Sequence, residues 1–366
     1  MIISVPRATL CEAVGNLSRV VSSKATVPVL EGILICTEQG KIVLSAYNLE
    51  NGVTKELEAN IEEPGQIVIS AKVFNSILHS LKGEFVRIKT DDRLMCHIES
   101  ETAVFDIMGM AAIDFPEIPQ ITDGKKISIT AGILKEMVRE TIFAVAPTEG
   151  TRPVLTGLDF EIEDGSLKLV AIDGYRLAIR KEKVNVAENL KFVVAGRAVA
   201  EIVKIISNED EEIGMTIGRR HICFYLEGYT FIAPLLDGEF IDYKRTIPAS
   251  FTQKMVVNTR DLIEVIERIS LIINDNFTTP VRCIIGENET VFSCATSVGR
   301  ATEKAEIKLE GAPFEIGLNS KYLLEALRAC DFEKVNICFN GGGAAVVITP
   351  ENDDCATYMI MPMRLK

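Results

Sequence analysis

At 366 residues the chain exceeds one ordinary hydrophobic core, and a hydrophobic share of 47% is enough to build two or three. Charged residues make up 25% and no Pro-rich, Gly-rich or single-charge tract occurs, which excludes extended disorder. The net charge of −13 excludes free electrostatic binding to nucleic acid unless the positive charge is segregated within the fold.

The start, "MIISVPRATLCEAV", lacks the basic and apolar blocks of a signal peptide, and no run approaches eighteen uninterrupted apolar residues, so the sequence reads as cytoplasmic. Nine cysteines sit singly inside apolar runs such as "ILICT" (33–37) and "VNICF" (335–339). With no C-x-x-C pair they read as reduced core residues rather than a disulfide or zinc framework.

In chain order the sequence repeats itself three times. A short strand running into an amphipathic helix opens at "ISVPRATLCEAV" (3–14), "ISITAGILKEMV" (127–138) and "MVVNTRDLIEVI" (255–266). Next come "PVLEGILI" (28–35), "PVLTGLDF" (153–160) and "PVRCIIGE" (280–287), setting a period of about 125 residues. A second strand and helix follow at "IVISAKVFNSIL" (67–78), "FVVAGRAVAEIV" (192–203) and "FEIGLNSKYLLEAL" (314–327). Each repeat closes on an apolar strand, "AVFDIMGM" (103–110), "TFIAPLL" (230–236) and "TYMIMPM" (357–363). Linkers follow the first two, while the third is followed only by Arg364, Leu365 and Lys366. The spacing predicts an α+β chain of three tandem domains, 1–121, 125–247 and 253–366. Each is a β-α-β-β-β unit written twice, forming an antiparallel sheet with two helices on one face, six helices in all.

These helices sort their charge. The segment 72–82 places Val73, Phe74, Ile77, Leu78 and Leu81 on one stripe and Lys72, Asn75, His79 and Lys82 opposite. Its counterparts set Arg197 and Lys204 against Val199, Ile202 and Val203, and Lys321 and Arg328 against Leu323, Leu324 and Leu327. Across the six helices and their ends thirteen Lys or Arg face eight Asp or Glu, so the acid resides in strands and loops.

No catalytic constellation stands out. Three histidines are present, without H-E-x-x-H, G-x-S-x-G or a glycine-rich phosphate loop followed by a helix. "NGGGAAV" (340–346) joins two apolar strands and reads as a hairpin turn, and "AIDGYRLA" (171–178) as an Asp-Gly turn. "NEDEE" (208–212) reads as a solvated loop, with a metal as the other reading. The chain is expected to be no enzyme, with no catalytic residue, metal or cofactor.

Three tandem domains, the internal "DGYRLA", the linker "DGEFIDYKRTIP" and the terminal "MPMRL" together resemble the bacterial DNA polymerase III β subunits, the sliding clamps, over essentially the whole chain. The resemblance implies a DNA-clamp fold and a homodimer closed head to tail into a ring, helices lining the hole and sheets outside. It implies a processivity factor that encircles double-stranded DNA without sequence preference. Polymerase, clamp loader and repair proteins would dock short linear motifs in a hydrophobic pocket, and no membrane would be involved. Carried over by position, the pocket would take Leu155, Ile172, Gly174, Tyr175, Arg176 and Leu177. Ile241, Arg245 and Thr246 would come from the linker, and Asn319, Tyr322, Ile360, Met361, Pro362, Met363 and Arg364 from the third domain. Methionines suit a surface that repacks around several partners.

The DNA-facing residues would be Lys24, Lys72, Arg139, Arg152, Arg197 and Lys204. The dimer interface would set Phe105 and Ile107 against Ile272 and Ile273. Tyr175 and Ile241 stand where the family commonly has His and Pro, and Lys366 follows its usual final leucine. Two rivals remain: a non-enzymatic scaffold of the same build that binds partner peptides without encircling DNA, and a metal-using enzyme.

Overall fold

In a computed structural model of the protein, residues 1–22, 25–273 and 279–365 are described; Lys24 and Lys366 fall outside them. The first repeat runs β1 (Ile2–Pro6), α1 (Arg7–Leu17), β2 (Gly32–Glu38), β3 (Lys41–Tyr47), β4 (Gly52–Glu58), β5 (Asn60–Glu63), β6 (Gln66–Ser70), α2 (Ala71–Ser80), β7 (Phe85–Thr90), β8 (Met95–Ser100) and β9 (Ala103–Met108). The second runs β10 (Lys125–Thr130), α3 (Ala131–Thr141), β11 (Gly157–Glu163), β12 (Ser166–Ile172), β13 (Arg176–Lys183), β14 (Leu190–Ala195), α4 (Gly196–Ile205), β15 (Glu212–Ile217), β16 (His221–Leu226) and β17 (Tyr229–Pro234). The third runs β18 (Gln253–Asn258), α5 (Thr259–Ser270), β19 (Val281–Ile285), β20 (Thr290–Ala295), β21 (Arg300–Ala305), β22 (Leu309–Glu310), β23 (Phe314–Leu318), α6 (Ser320–Ala329), β24 (Lys334–Phe339), β25 (Val346–Pro350) and β26 (Ala356–Ile360). The doubled β-α-β-β-β order therefore holds in every repeat, with β5 and β22 as short additions.

The expectation of one sheet per repeat is corrected, because each repeat divides between two sheets. Two compact units result, residues 1–132 with 197–235 and residues 133–196 with 236–366, and the central repeat contributes to both. The first unit holds a sheet ordered β5-β1-β7-β8-β9 and another ordered β10-β15-β16-β17-β4-β3-β2-β6. The second holds β14-β11-β12-β13-β26-β25-β24-β18-β22 and β21-β20-β19-β23. The joins are β17 to β4, with Phe231 opposite Val53, and β13 to β26, with Ala178 opposite Tyr358. Edge strands offer unpaired N–H and C=O groups, and a neighbouring repeat satisfies them as well as the strand's own.

Helix faces follow the apolar spacing with one exception. In α2 the buried residues are Ala71, Phe74, Ile77 and Leu78, whereas Val73, expected on that stripe, is 43% exposed. A residue one step ahead of Phe74 is turned about 100° away from it. Asn258 and Asn319 cap α5 and α6 by accepting the amides of Asp261 (3.1 Å) and Tyr322 (3.2 Å). No helix among the described residues is long and apolar enough to cross a membrane.

The chain leaving each closing strand bonds to an equivalent place in its own repeat. Met110 exchanges both backbone bonds with Val68, the Leu236 amide donates to the Val193 carbonyl, and the Met363 amide to the Gly317 carbonyl. Gly317 permits this approach: a Cβ there would lie 2.7 Å from the Met363 carbonyl oxygen and 2.8 Å from Leu365 Cδ2. The apolar terminus thus follows an inner strand, and its first residues are zipped to β23.

Behind that strand lies a buried charge cluster. Glu140 of α3 is fully buried, with Oε2 at 2.8 Å from Arg180 Nε and Oε1 at 3.1 Å from Arg139 Nη2; the Tyr358 hydroxyl donates to Oε2 at 3.5 Å. Burial outweighs the two guanidinium groups and pushes this carboxyl up to about 7. A carboxyl raised on folding favours the native state most when protonated, and that contribution is lost as pH rises from about 4.5 towards 7. In Glu140→Gln the fall in unfolding free energy across that window is expected to flatten, as denaturant titrations at stepped pH will show.

Candidate functional site

Sixteen of the candidate residues, those called for the pocket, lie in the second unit on short pieces of chain that its nine-stranded sheet gathers. Leu155 belongs to a 3-10 helix at Pro153–Thr156, Ile172 ends β12 and Leu177 follows the start of β13. Together with Phe240, Tyr243 and Met359 these three form a buried apolar cluster, against which Ile241 packs half-buried. Alternation along β12 and β13 sends Ile172 and Leu177, directly opposite each other, to the same face.

The turn from β12 to β13 builds the wall. Asp173 Oδ1 accepts the amides of Tyr175 (2.9 Å) and Arg176 (3.0 Å), and Gly174 takes φ +91°, which glycine adopts without strain. The turn leaves Tyr175 65% exposed while Arg176 is only 8% exposed. The Arg176 guanidinium donates from Nε to Asp173 Oδ2 at 2.9 Å, pairs with Glu325 of α6, and lies 4.3 Å over the Tyr322 ring and 5.4 Å from the Phe143 ring. A flat cation with a fork of donors fits this mixture of carboxylates and aromatic faces; a lysine would not.

The tail runs alongside. Ile360, at the end of β26, is buried opposite Arg176, and the Met361 amide donates to the Tyr175 carbonyl at 2.8 Å. Met361 is 41% exposed, Pro362 and Met363 are half-buried, and Arg364 is exposed. Gly174 and Thr246 are exposed, Asn319 caps the helix carrying Tyr322, and Arg245, 87% exposed at its side chain, pairs with Asp242 at 2.8 Å. An apolar floor bordered by an exposed tyrosine, an exposed methionine and two exposed arginines suits an extended peptide with apolar side chains. Tyr243, Phe240, Phe143 and Glu325 belong to this construction and were not among the expected residues. The only sequence signal for the first two was their aromatic character within the linker "DGEFIDYKRTIP".

The candidate DNA-facing residues are dispersed. Lys72 and Arg197 are exposed in the first unit and make no ion pair among the described residues, whereas Lys204 pairs with Glu201 at 2.6 Å. In the second unit Arg152 is exposed, and Arg139 bonds Glu140 and the Ala329 carbonyl. For the candidate interface, Phe105 and Ile107 are half-buried on β9, an edge strand of the first unit. Ile272 is half-buried and Ile273 buried in the second unit, and the freer apolar side chains nearby are Leu271 (79% exposed) and Val298 (63%).

In the acidic loop, the Asn208 amide and the Ser207 amide and hydroxyl donate to Glu227; no metal-holding group of three His, Cys, Asp or Glu occurs among the described residues. A groove of about 1530 Å³ in the first unit, between the β2–β4 face and residues 115–120, is lined in part by Glu211 and Glu227 of this acidic network and holds none of the pocket, DNA-facing or interface candidates.

Three family models match nearly the whole chain. Residues 1–119 match the N-terminal domain of the DNA polymerase III beta subunit, 128–242 its central domain and 244–364 its C-terminal domain. A beta sliding clamp of Staphylococcus epidermidis is 30% identical over 358 residues, covering 94% of both chains. The DNA polymerase sliding clamp of Bacillus subtilis superposes with a TM-score of 0.95 at 27% identity over 100% of each chain. A Pseudomonas aeruginosa sliding clamp, solved bound to griselimycin, gives 0.93 at 25% identity over 100% of each.

Removing the Arg176 side chain would strip Asp173 and Glu325 of their cation and uncover the Tyr322 ring. Arg176→Ala is expected to lower the unfolding free energy by about 3 kcal/mol, and Arg176→Lys by less, both read from urea denaturation.

Proposed function

Because the chain belongs to the DNA polymerase III beta subunit family, the bacterial sliding clamps, we propose that two copies close head to tail around duplex DNA and that the site on the second unit receives partner peptides. The domains are 1–121, 125–247 and 253–366, the dimer works in the cytoplasm, and the protein acts by tethering rather than by catalysis.

The observation that carries the docking reading is the third closing segment. It bonds to Gly317 as its two internal relatives bond to Val68 and Val193, and its Met361, exposed and bonded through its amide to the Tyr175 carbonyl, lies beside the cluster of Leu155, Ile172 and Leu177. A polymerase, the clamp loader or a repair protein supplies a short apolar motif; the Pseudomonas aeruginosa relative was solved bound to griselimycin.

The ring reading rests on free edges. Strands β9 and β21 each have one neighbour among the described residues, and β9 shows Val104 and Met108 at 60% and 63% exposure. Joining such an edge of one copy to a different edge of the next is a heterologous contact, which closes if the rotation allows. Lys72, Arg197 and Arg152, in no ion pair among the described residues, then offer DNA scattered charge. Lys204 and Arg139 are partly neutralised by glutamates, which keeps the hold weak enough for sliding.

Because Ile273 is buried, the sharper interface variant is Leu271→Glu. It is expected to convert a dimer to monomers in light scattering with an unchanged circular dichroism spectrum; an unchanged dimer mass would remove Leu271 and its neighbours from the interface.

A further inference from the structure

The linker residues Ile241, Arg245 and Thr246 share one support. The Tyr243 amide donates to the Ile241 carbonyl at 2.7 Å, and the Tyr243 carbonyl accepts both the Thr246 amide (2.9 Å) and its hydroxyl (2.6 Å). Tyr243 itself is 3% exposed, its ring in the apolar floor. Its hydroxyl is committed to a buried acid, donating to Glu161 Oε2 at 2.8 Å.

That acid is held in turn. Glu161 lies directly opposite Lys191 in the β11–β14 register, and Lys191 Nζ reaches Glu161 Oε1 at 2.7 Å and Asp159 Oδ2 at 3.2 Å. Burial works against the Glu161 charge, but the Lys191 and Tyr243 donors outweigh it and hold the carboxyl below its ordinary range. Asp159, fully buried, is pushed by burial up to about 6. Glu161 therefore remains the ionised, oriented acceptor for Tyr243, and charge-assisted bonds of this kind fix geometry more firmly than neutral ones.

We infer that Tyr243 is a positioning residue for the peptide site, with Glu161 and Lys191 as the anchor that sets the linker rim through its hydroxyl. This rests on the docking reading above. The ring fills the floor, the hydroxyl locks the ring, and the backbone on either side carries the rim. A partner peptide therefore meets Ile241, Arg245 and Thr246 already in place and loses less freedom on binding.

The test is calorimetric titration of the dimeric protein with griselimycin, at a temperature where circular dichroism shows every variant folded. Tyr243→Phe keeps the ring and removes the hydroxyl, and should weaken binding about five-fold. Glu161→Leu also removes the ion pairs to Lys191 and Lys244 and should weaken binding at least as much, and the double variant should be no weaker than Glu161→Leu alone, because the Tyr243 bond is already gone there. Glu161→Gln retains an acceptor and should stay within about two-fold of the parent. Amide exchange at Tyr243 and Thr246 should quicken in Tyr243→Phe and Glu161→Leu but not in Glu161→Gln. A purely structural role would lower melting temperature without moving affinity. Binding that Met361→Glu abolishes and Tyr243→Phe leaves unchanged overturns this inference alone. Binding that is absent in the parent, or indifferent to Met361→Glu, removes the docking reading and this inference with it.

Discussion

One antiparallel register carries the second unit: Arg176 opposite Ile360 at one end and Arg180 opposite Ala356 at the other. At its first end it lays the Asp-Gly turn against the tail, so that Tyr175 and Met361 share a backbone bond. At its other end it brings Arg180 and Tyr358 to Glu140. A slip of one residue would turn Leu177 and Met359 out of the apolar floor and break both arrangements together. The polar cluster at one end and the aromatic clamp around Arg176 at the other penalise such a slip, since each would leave a buried charge unpaired.

The same constraint explains why the molecule's compact units do not coincide with its repeats. Strands at the ends of a half-repeat have unsatisfied edges, and pairing them with the next repeat produces sheets of eight and nine strands. The central repeat is consequently shared, β11–β14 in one unit and β10 with β15–β17 in the other.

Much of this was legible in the sequence. The change from period two to period 3.6 marks all six helices, and three spaced copies of each motif fix the doubled order within a repeat. Strand partnership across repeats was not legible, because a hydrophobic pattern states which face is buried and leaves open whose edge lies alongside. Val73 misled for a related reason: an apolar residue at a helix's first turn satisfies a spacing count without facing the core. At the site, the residues carried by the resemblance fall on one unit, but Tyr243 and Phe240 went unseen, since an apolar residue in a linker has no period to betray it. Glu325 is one of the eight helix acids in the sequence, and its pairing with Arg176 across 149 residues has no local signal.

The family places the chain among sliding clamps, and the ring proposed for it would hold DNA topologically rather than by adhesion. An acidic protein with scattered basic residues, several already paired with glutamate, has little affinity to offer a linear duplex. The direct measurement is retention on nicked circular DNA, loaded by the cognate loader with ATP, before and after a restriction enzyme opens the circle. Protein that stays on the circle and runs off the linear form is the predicted result. Equal retention on both forms would contradict the account, because it would mean ordinary binding to the duplex.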